Sequence, residues 1–480
     1  MTFNLDHLKG GLFAVILLVL FYLVIFYNRS SIMAEDFIQL YQTPRVSPSR
    51  SAAATSSPCT CFERSTIFKD RFPEKEYAEL ASRRAKEIQS YKARTTSVLS
   101  ELLLAAPNTP LQYPIQGFNA RPLTPTLIPG LRLFPEQRKS YRVTLQASRG
   151  VLTTETPPAD VDVLGDSQDV LIIESRNLHS LNYVLTKVSY QSTIYHIHTG
   201  DLVTLSYEHH KVVFPVTIKL PKVPVMFDMG KDINSQVTIV TKTFIRYYNL
   251  RMLIKSIREF YPNITIIIAD DSFEPQRVTE DNILQYIMPP GQGWFAGRNL
   301  AISQVMTKYF LWVDDDYEFT EKTTIEKMVE VMEANPELDV LGGSVKGNRF
   351  FFSVIYEEGN EIEGGCLYRK SGGRFQHLPG FPGCYLVSGV VNFFMARTDS
   401  LQKTGFDPRL RRVAHSEYFI DGAGSLMVAS CGDVIVGHQT NKSKEDAARY
   451  ARYRNPGRDD WMFKDRLLFF KNNLKCMRWG

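Results

Sequence analysis

The pattern of apolar and polar positions divides the chain into stretches of different character. The first is an uncharged run, GGLFAVILLVLFYLVIFY, at residues 10–27. A helix of this length spans roughly 27 Å, close to the hydrocarbon thickness of a bilayer. The run is longer than the apolar part of a cleaved signal peptide, and the NRSSIMAED that follows it is a poor cleavage site. We therefore expect an uncleaved transmembrane anchor, preceded by a cytoplasmic tail of residues 1–9.

The next stretches predict a stem, a helical segment and a β-rich domain. Residues 28–61 are rich in Ser, Ala and Pro without an apolar period, which is typical of a stem. Residues 62–111 contain many good helix formers and charges of both signs. Across 112–230, short β-branched runs are separated by turn residues, as in an antiparallel sandwich or barrel.

From residue 231 to 480 the pattern changes again. Nearly continuous apolar runs such as QVTIVTKTF and NITIIIADD alternate with amphipathic stretches of helical spacing such as TTIEKMVEVMEANPE. Apolar strands alternating with helices indicate a sheet that helices cover on both faces. We therefore predict an α/β domain of Rossmann-like type, with a mostly parallel sheet.

Composition narrows the possible partners. Hydrophobic residues make up 44% and charged residues 22%, ordinary values for a globular protein. The net charge is +5, from 56 basic and 51 acidic residues, and no block of like charge suggests a nucleic-acid arm. There is no zinc-finger or RNA-binding pattern. We expect no nucleic-acid partner.

The cysteines and the glycosylation sequons indicate the cellular compartment of the protein. The six cysteines lack the paired spacing and histidine neighbours of a zinc site, and their even number favours disulfides. Cys59 and Cys61 lie in a stretch of low predicted order, where exposed thiols could cross-link the subunits of a homodimer. Acceptor sequons begin at Asn263 and Asn441. We expect a single-pass protein whose large C-terminal part faces the secretory lumen.

Three strands of the α/β domain end in polar clusters, which are Thr241-Lys242-Thr243, Asp270-Asp271 and Asp314-Asp315-Asp316. In open α/β sheets ligands bind beyond the carboxyl ends of the strands. With a period of two, Asp314 and Asp316 would point the same way and Asp315 the opposite way. Two oxygen donors on one side suit Mg²⁺ or Mn²⁺, which then accept phosphate oxygens. The pattern predicts a metal and diphosphate at this edge.

A nucleotide could complete the same edge. Asp270 and Asp271 can accept hydrogen bonds from a ribose or a base. The glycine-rich GQGWFAG at 291–297 is neither a dinucleotide fingerprint nor a Walker loop, so oxidoreduction and P-loop phosphoryl transfer are poorly supported. Arg298 and Asn299 follow this loop and could reach a diphosphate or a sugar, although a turn and a helix start would explain them equally well.

Residues further along the chain are candidates for general acid–base catalysis and for a further metal ligand. Glu417 and Asp421 are four residues apart, so in a helix they share a face, and one of them could be a general base. His438 ends the short strand of CGDVIVGHQT and is a candidate third metal ligand. A pair of surface acids and a structural histidine are the alternatives.

Taken together these motifs resemble a known family. GWFAGRNLAISQV, LWVDDDYEF, SGVVNFFMART, GFDPRLRRVAHSEYFIDGAGSL and VIVGH resemble the animal β-1,4-N-acetylgalactosaminyltransferases, GT-A glycosyltransferases that include ganglioside-type and Sd(a)-type enzymes. The likeness extends from about residue 100 onward. It implies an inverting, type II Golgi enzyme that transfers GalNAc from UDP-GalNAc to the 4-hydroxyl of a galactose. That galactose is usually sialylated, on a glycolipid or a glycoprotein.

The resemblance also assigns roles. Asp314 and Asp316 match the metal-diphosphate motif, His438 matches the late metal ligand, and Glu417 is the expected base with Asp421 second. The cofactor is expected to be Mn²⁺, with Mg²⁺ as an alternative. The candidate donor-binding residues are Thr241, Lys242, Asp270, Asp271, Arg298, Asn299 and Asp315.

Two other functions stay open at this point. One is a lumenal pseudo-transferase or scaffold that keeps the fold without turnover, and the other is a transferase of different donor specificity. Cys384 and Cys431 bracket the segment expected to face the acceptor, which suggests a disulfide between them.

Overall fold

The computed structural model describes most of the chain from Cys59 onward. The described residues are 59–95, 104–390, 392–411, 413–439, 450, 453 and 457–480. The predicted anchor at 10–27 lies outside them, as do the predicted tail and most of the predicted stem. Within the described residues, no helix combines the length and the apolar character needed to cross a membrane.

The described elements fall into three stretches along the sequence. The first holds β1 (Thr66–Ile67), a 3-10 turn (Phe68–Arg71) and α1 (Glu74–Thr95). The second holds β2 (Leu111–Gln112), β3 (Phe118–Ala120), β4 (Thr126–Leu127), β5 (Arg132–Leu133), β6 (Tyr141–Ala147), β7 (Gly150–Thr153), β8 (Val161–Leu164), β9 (Val170–Ser175), α2 (Leu178–Leu185), β10 (Ser189–Ser192), β11 (His198–Tyr207) and β12 (His210–Lys219).

The third stretch holds the remaining elements. Its first half comprises α3 (Ile233–Gln236), β13 (Val237–Thr243), α4 (Tyr247–Phe260), β14 (Ile266–Asp270), β15 (Ile283–Ile287), α5 (Trp294–Ser303), β16 (Tyr309–Trp312), β17 (Tyr317–Glu318), α6 (Ile325–Ala334) and β18 (Val340–Val345). Its second half comprises β19 (Phe351–Glu357), β20 (Gly365–Ser371), β21 (His377–Leu378), β22 (Phe381–Val387), β23 (Gly389–Val390), β24 (Phe394–Arg397), α7 (Ser400–Thr404), a 3-10 turn (Pro408–Leu410), α8 (Glu417–Asp421), β25 (Val428–His438), α9 (Arg458–Phe470) and β26 (Leu474–Trp479).

The second stretch is rich in strands, as its alternating pattern predicted. A six-stranded sheet runs in the order β3-β12-β11-β6-β9-β8, beside a three-stranded sheet β4-β10-β7. Along β6 every second side chain from Tyr141 to Ala147 is buried. These residues join one apolar core that includes Leu145, Ile173 and Phe214. The predicted boundaries at 111 and 230 stay predictions, because the chain from Pro58 to Gly480 forms a single compact unit.

A ten-stranded mixed sheet organises the third stretch. Its order is β15-β14-β13-β16-β24-β18-β25-β22-β21, with β17 paired to β25. Strands β15, β14, β13 and β16 are mutually parallel, whereas β24 runs antiparallel to both of its neighbours. The expected mostly parallel sheet is therefore correct for these four strands, whereas the rest of the sheet is mixed, with β18 and β25 parallel and the other pairs antiparallel. A strand buried on both faces has the same apolar pattern in either direction, so the sequence does not reveal its orientation.

Apolar residues on both faces of this sheet form its core. Along β14, Ile266 and Ile268 join the cluster under α4 and α6, while Ile267 and Ala269 join the cluster that includes α5. All four side chains are at most 1% exposed. Burial on both faces fixes where β14 ends, and the polar residues that follow it lie at the carboxyl edge of the sheet.

Disulfides attach the start of the described chain to a second, five-stranded sheet, ordered β1-β26-β20-β19-β23. Cys59 pairs with Cys366 of β20, and Cys61 pairs with Cys476 of β26. The predicted cross-link between subunits through exposed Cys59 and Cys61 thiols is therefore not what the structure shows. Both residues lie against the folded unit, because β1 adds to the edge of this sheet beside β26.

The third disulfide agrees with the suggestion from the sequence. Cys384 of β22 is bonded to Cys431 of β25, and the two residues are directly opposite in the antiparallel pair. All six cysteines lie in the described part of the chain, and all six are paired.

A buried arginine fixes α1 to the rest of the fold. Arg84 is 1% exposed, and its guanidinium donates hydrogen bonds to the carbonyls of Phe469, Leu474 and Ile362 at 3.0, 3.2 and 2.8 Å. The same group lies 3.9 Å from the centre of the Phe469 ring. One side chain therefore supplies the donors for three carbonyls in distant parts of the sequence.

We expect Arg84→Ala to lower the free energy of unfolding by about 3 kcal/mol, because it leaves buried carbonyls without donors. Urea unfolding with the disulfides intact measures the change. Arg83→Ala is the matched control, since Arg83 is 60% exposed on the same helix. Equal small losses for both variants would contradict the assignment.

Candidate active site

The parallel half of the large sheet brings three polar strand ends together. Strand β13 lies between β14 and β16, and the three run in the same direction. Their carboxyl ends therefore meet at one edge of the sheet, where Thr243, Asp270 and the aspartates after Trp312 lie. Ligands of open α/β sheets bind at this edge. The sequence-based grouping of these strand ends agrees with the structure.

An arginine that the sequence analysis did not select joins two of the three adjacent aspartates. Arg246, just before α4, forms ion pairs with Asp315 and with Asp316, the latter at 2.8 Å. Asp315 also accepts a hydrogen bond from the Thr243 hydroxyl at 2.9 Å. Asp314 lies elsewhere and accepts from the Trp312 indole at 3.1 Å.

The three aspartates are therefore not grouped by simple alternation. The alternation predicted Asp314 and Asp316 on one side, whereas the structure brings Asp315 and Asp316 to the same guanidinium. The reason is local: strand pairing ends at Trp312, and the chain then turns, with the Tyr317 amide donating to the carbonyl of Asp314. A period of two holds only while the backbone stays extended.

Because the cluster is buried, keeping its carboxylates ionised is energetically costly. Desolvation raises the pKa of Asp314 to about 6, against the opposing effect of Arg298. Desolvation likewise raises the pKa of Asp315 to about 6, although the positive charge of Arg246 opposes it. Buried carboxylates stay ionised near neutral pH only when cations compensate their charge. The aspartates thus lie where additional positive charge is favourable.

His438 lies close enough to Asp316 to share a ligand with it. The pairing of β17 with β25 sets His438 opposite Tyr317, and its Nε2 is 3.7 Å from Asp316 Oδ2. Its Nδ1 is 3.0 Å from the carbonyl oxygen of Gln439, which can accept a hydrogen bond from it. One carboxylate oxygen and one imidazole nitrogen form a donor set that suits Mn²⁺.

The two acids after β14 have different surroundings. Asp270 accepts hydrogen bonds from Tyr247 at 2.6 Å, from Gln285 at 2.8 Å and from the Ser272 amide at 3.0 Å. Burial, followed by the bond to Asp270, raises the pKa of Tyr247 to about 12. Asp270 therefore holds β14, β15 and α4 together at the edge.

Asp271 instead faces the glycine-rich loop. It pairs with Lys242 at 2.5 Å and accepts a hydrogen bond from the Gly293 amide at 2.8 Å. Gly293 has φ of 92°, and a Cβ there would lie 2.7 Å from the Cα of Arg411, so only glycine fits. Close by in sequence, Thr241 is fully buried, and its hydroxyl has no hydrogen-bond partner among the described residues.

Helix α5 carries Arg298 and Asn299 into different environments. Arg298 is 5% exposed, donates to Asn392 at 3.1 Å and lies 4.4 Å from the Trp312 ring, near Asp314. Asn299 exchanges hydrogen bonds with the backbone of Phe406. The structure therefore brings Arg298 to the acidic edge, whereas Asn299 joins α5 to the loop around Phe406.

Glu417 and Asp421 share a face of α8, as their spacing predicted. Glu417 Oε1 is 2.5 Å from Lys464 Nζ, and Asp421 is 2.6 Å from Lys471, so both carboxylates face α9. Asp421 also lines a surface pocket of about 600 Å³. The Oε2 atom of Glu417 accepts from the amides of His415 and Ser416.

His415 connects Glu417 to the glycine-rich loop. Its ring centre lies 4.5 Å from that of Trp294, the residue after Gly293. Burial lowers the pKa of His415 to about 4, and the nearby charges of Arg298, Lys464 and Arg369 act in the same direction. The imidazole is therefore neutral at physiological pH, in a positively charged neighbourhood between the two groups of acids.

Comparison with known proteins identifies the family. The model of glycosyl transferase family 2 matches residues 238–387. Beta-1,4 N-acetylgalactosaminyltransferase 2 of Mus musculus is 46% identical, covering 85% of this chain and 81% of the relative. Beta-1,4 N-acetylgalactosaminyltransferase 1 of Homo sapiens is 45% identical, covering 85% and 80%. The chain belongs to the β-1,4 N-acetylgalactosaminyltransferase family.

Solved structures overlap this glycosyltransferase only partly. Residues 1–349 of S. aureus TarS in complex with UDP-GlcNAc are 12% identical, with a TM-score of 0.32 over 44% of this chain and 61% of that one. GalNAc-T7 with UDP, GalNAc and Mn²⁺ is 11% identical, with a TM-score of 0.31 over 45% and 48%. The family assignment rests on the sequence relatives.

The family assignment and the geometry agree that this glycosyltransferase has a GT-A fold with a mixed sheet. Identity to the enzymes numbered 1 and 2 differs by one percentage point, too little to decide between the ganglioside-type and Sd(a)-type branches.

Three residues of the site were missed by sequence reasoning. Arg246 lies three residues after the end of β13. A basic residue at that position, close to several acidic strand ends, was a signal that the sequence offered. His415 precedes Glu417 by two residues, and a histidine in a loop carries little signal. Lys464 lies in a charged helix far along the chain, and nothing in the sequence relates it to Glu417.

We expect Arg246→Ala to lower the free energy of unfolding by about 3–5 kcal/mol, because it leaves Asp315 and Asp316 buried without their cation. Chemical denaturation without added divalent metal measures this loss. Arg251→Ala is the control, because Arg251 is exposed on the same helix α4. Unchanged stability of the Arg246 variant would show that the ion pairs contribute nothing to folding.

Proposed function

We propose that this enzyme transfers GalNAc from UDP-GalNAc, with inversion, in β-1,4 linkage to a sialylated galactose of a glycolipid or glycoprotein. The observation that carries the proposal is 44–46% identity to named β-1,4 N-acetylgalactosaminyltransferases over about 85% of the chain. The acidic carboxyl edge of the sheet, with a carboxylate and an imidazole 3.7 Å apart, supports a nucleotide-sugar donor held through a metal.

Asp316 and His438 would hold the metal, Mn²⁺ or alternatively Mg²⁺, with Asp315 beside them and Asp314 as a further candidate ligand. When bound, such an ion supplies Lewis-acid stabilisation of the charge that develops on a departing diphosphate. Arg246 already contacts Asp315 and Asp316, so this cation and the ion would share the same carboxylates.

The protein's own groups account for donor binding. Asp271 is the candidate for the uridine side, held by Lys242 and by the Gly293 amide. The buried hydroxyl of Thr241 and the guanidinium of Arg298 add polar groups close to the edge. Asp270 and Asn299 support the site from behind through their hydrogen bonds to neighbouring elements.

Glu417 is the proposed general base. Two backbone amides orient its Oε2, and Lys464 pairs with its Oε1, so the carboxylate that would accept a proton from the acceptor hydroxyl is held in one position. Asp421 lies one turn further, against Lys471 and Asn472. Glu417 accepts a hydrogen bond from the amide of His415, whose ring contacts Trp294 beside the glycine-rich loop, and this contact favours Glu417 over Asp421 as the base.

The proposal includes the cellular setting. Residues 10–27 would anchor the protein in the Golgi membrane as a single-pass type II protein with its catalytic part in the lumen. The uncharged run of that segment supports this topology.

The decisive test offers labelled UDP-GalNAc, UDP-GlcNAc or UDP-Gal to the enzyme, with sialylated or unsialylated galactosides, with and without Mn²⁺. We expect metal-dependent GalNAc transfer to the sialylated acceptor. Asp316→Ala should lower the rate about a thousandfold or more while the protein stays folded by circular dichroism. Transfer from another donor would overturn the specificity. Absence of any transfer by a folded, UDP-binding protein would favour a pseudo-transferase.

The base assignment has its own test. Glu417→Gln should keep UDP binding by calorimetry and lower the transfer rate at least a hundredfold, because the amide cannot accept the proton. Asp421→Asn is the matched variant and should keep most of the activity. The opposite pattern would assign the base to Asp421.

A further inference from the structure

Two half-exposed tryptophans lie beside the proposed base. Trp461 is 50% exposed and Trp479 is 43% exposed. The ammonium of Lys464 lies 5.2 Å from the ring centre of Trp461 and 4.5 Å from that of Trp479. This ammonium is also 2.5 Å from Glu417 Oε1. Both indole rings therefore lie next to the lysine that pairs with the proposed catalytic carboxylate.

The two rings come from separate elements that meet at this point. Trp461 lies in the first turn of α9, and Trp479 ends β26. In β20, next to β26, Arg369 is the register partner of Trp479. An exposed aromatic side chain is unremarkable singly, but neighbouring exposed rings at a reactive group are typical of a surface that binds a ligand.

Positive charge surrounds Trp479. The guanidinium carbon of Arg369 lies 5.8 Å from its ring centre, and Arg369 Nε donates to the Ser416 hydroxyl at 2.9 Å, next to Glu417. Arg369 and Lys464 are two cations, whereas Glu417 is the single carboxylate that they share. Two cations therefore lie beside the ring of Trp479.

Two acids of α9 are close in sequence to Lys464. Asp465 pairs with Arg71 at 3.6 Å. Asp460 accepts a hydrogen bond from the amide of Gly457 at 3.0 Å. The guanidinium of Arg369 is therefore the charged group beside the exposed ring of Trp479 that remains to recognise an acid.

We propose that Trp461 and Trp479 form the acceptor platform of this enzyme, on which the sugar rings of an acidic oligosaccharide stack, with Arg369 binding the acid group. The proposal rests on the proposed function, since it places the acceptor beside Glu417. These residues would select a sialylated acceptor over a neutral one.

The chemistry of the two partners is complementary. A galactose ring presents C–H groups on one face, which pack against the electron-rich face of an indole. A sialic acid carboxylate would accept charge-assisted hydrogen bonds from the N–H groups of Arg369 that do not already donate to Ser416 and Ser371. The platform would thus supply stacking from the tryptophans and charge recognition from Arg369.

Acceptor binding can be tested separately from transfer. The probes are sialylated lactose and lactose, titrated into the full chain by saturation-transfer NMR in the presence of UDP and Mn²⁺. We expect Trp461→Ala and Trp479→Ala each to raise the Kd for sialylated lactose about five- to tenfold, while the Kd for UDP stays unchanged. The conservative Trp479→Phe should restore most of the affinity.

A matched control exists elsewhere in the chain. Tyr183 is 50% exposed, and Lys187 Nζ lies 5.9 Å from its ring centre, so it reproduces an exposed aromatic ring beside a lysine. Tyr183→Ala should leave the affinity for both probes unchanged. Equal loss in the control and in the tryptophan variants would overturn the platform, as would unchanged affinity in all of them.

Charge recognition has a separate variant. Arg369→Gln should reduce the preference for sialylated lactose over lactose at least fivefold, with little effect on lactose itself. Arg374→Gln is the control, because Arg374 stacks on Tyr385 instead of on a platform residue. An unchanged preference in the Arg369 variant would remove Arg369 from the proposal.

The platform and the proposed function can fail independently. Sialylated lactose that binds the wild type through the tryptophans without any GalNAc transfer would overturn the function and support the platform. Normal GalNAc transfer with an unchanged acceptor KM in both tryptophan variants would support the function and overturn the platform.

Discussion

The arrangement of this protein depends on holding several like charges at one edge of a sheet. Five aspartates lie at or just after the ends of β14 and β16, the two strands that flank β13, and four of them are at most 7% exposed. Unpaired, such buried carboxylates would cost several kcal/mol each. The chain compensates with cations from three elements: Lys242 for Asp271, Arg246 for Asp315 and Asp316, and Arg298 near Asp314. Remaining negative charge is what makes the edge suitable for a divalent ion.

The proposed acceptor side uses the same principle. Glu417 is the buried acid, and Lys464 and Arg369 surround it with positive charge. His415 lies between the two regions and is kept neutral by burial and by these cations.

Distant parts of the chain build this second region. Helix α9 brings Lys464, and β26 brings Trp479 beside β20. Strands β26 and β20 each carry a disulfide to the start of the described chain, at Cys61 and Cys59. Arg84 reinforces the junction by donating hydrogen bonds to one carbonyl near the end of α9 and to another at the start of β26. The N-terminal segment thus stabilises the elements on which the proposed acceptor surface stands.

Much of the donor edge could be predicted from the sequence. Buried apolar runs such as IIIAD and YFLW fix strands and their ends, and the acids that follow a strand must lie at the carboxyl edge of a parallel sheet. The spacing of Glu417 and Asp421 likewise determined that they share a helix face. These inferences succeeded because they depend only on backbone geometry and on residues adjacent in sequence.

Tertiary structure alone decided the partners of those acids. The turn after Trp312 separated Asp314 from its neighbours, and Arg246, Lys464, Trp461 and Trp479 reached the site from other elements. Strand direction in the second half of the sheet was also undetermined, because a strand buried on both faces reads alike in either direction. Local patterns determine which residues are buried and where elements end, whereas the pairing of charges depends on contacts between segments that sequence spacing does not relate.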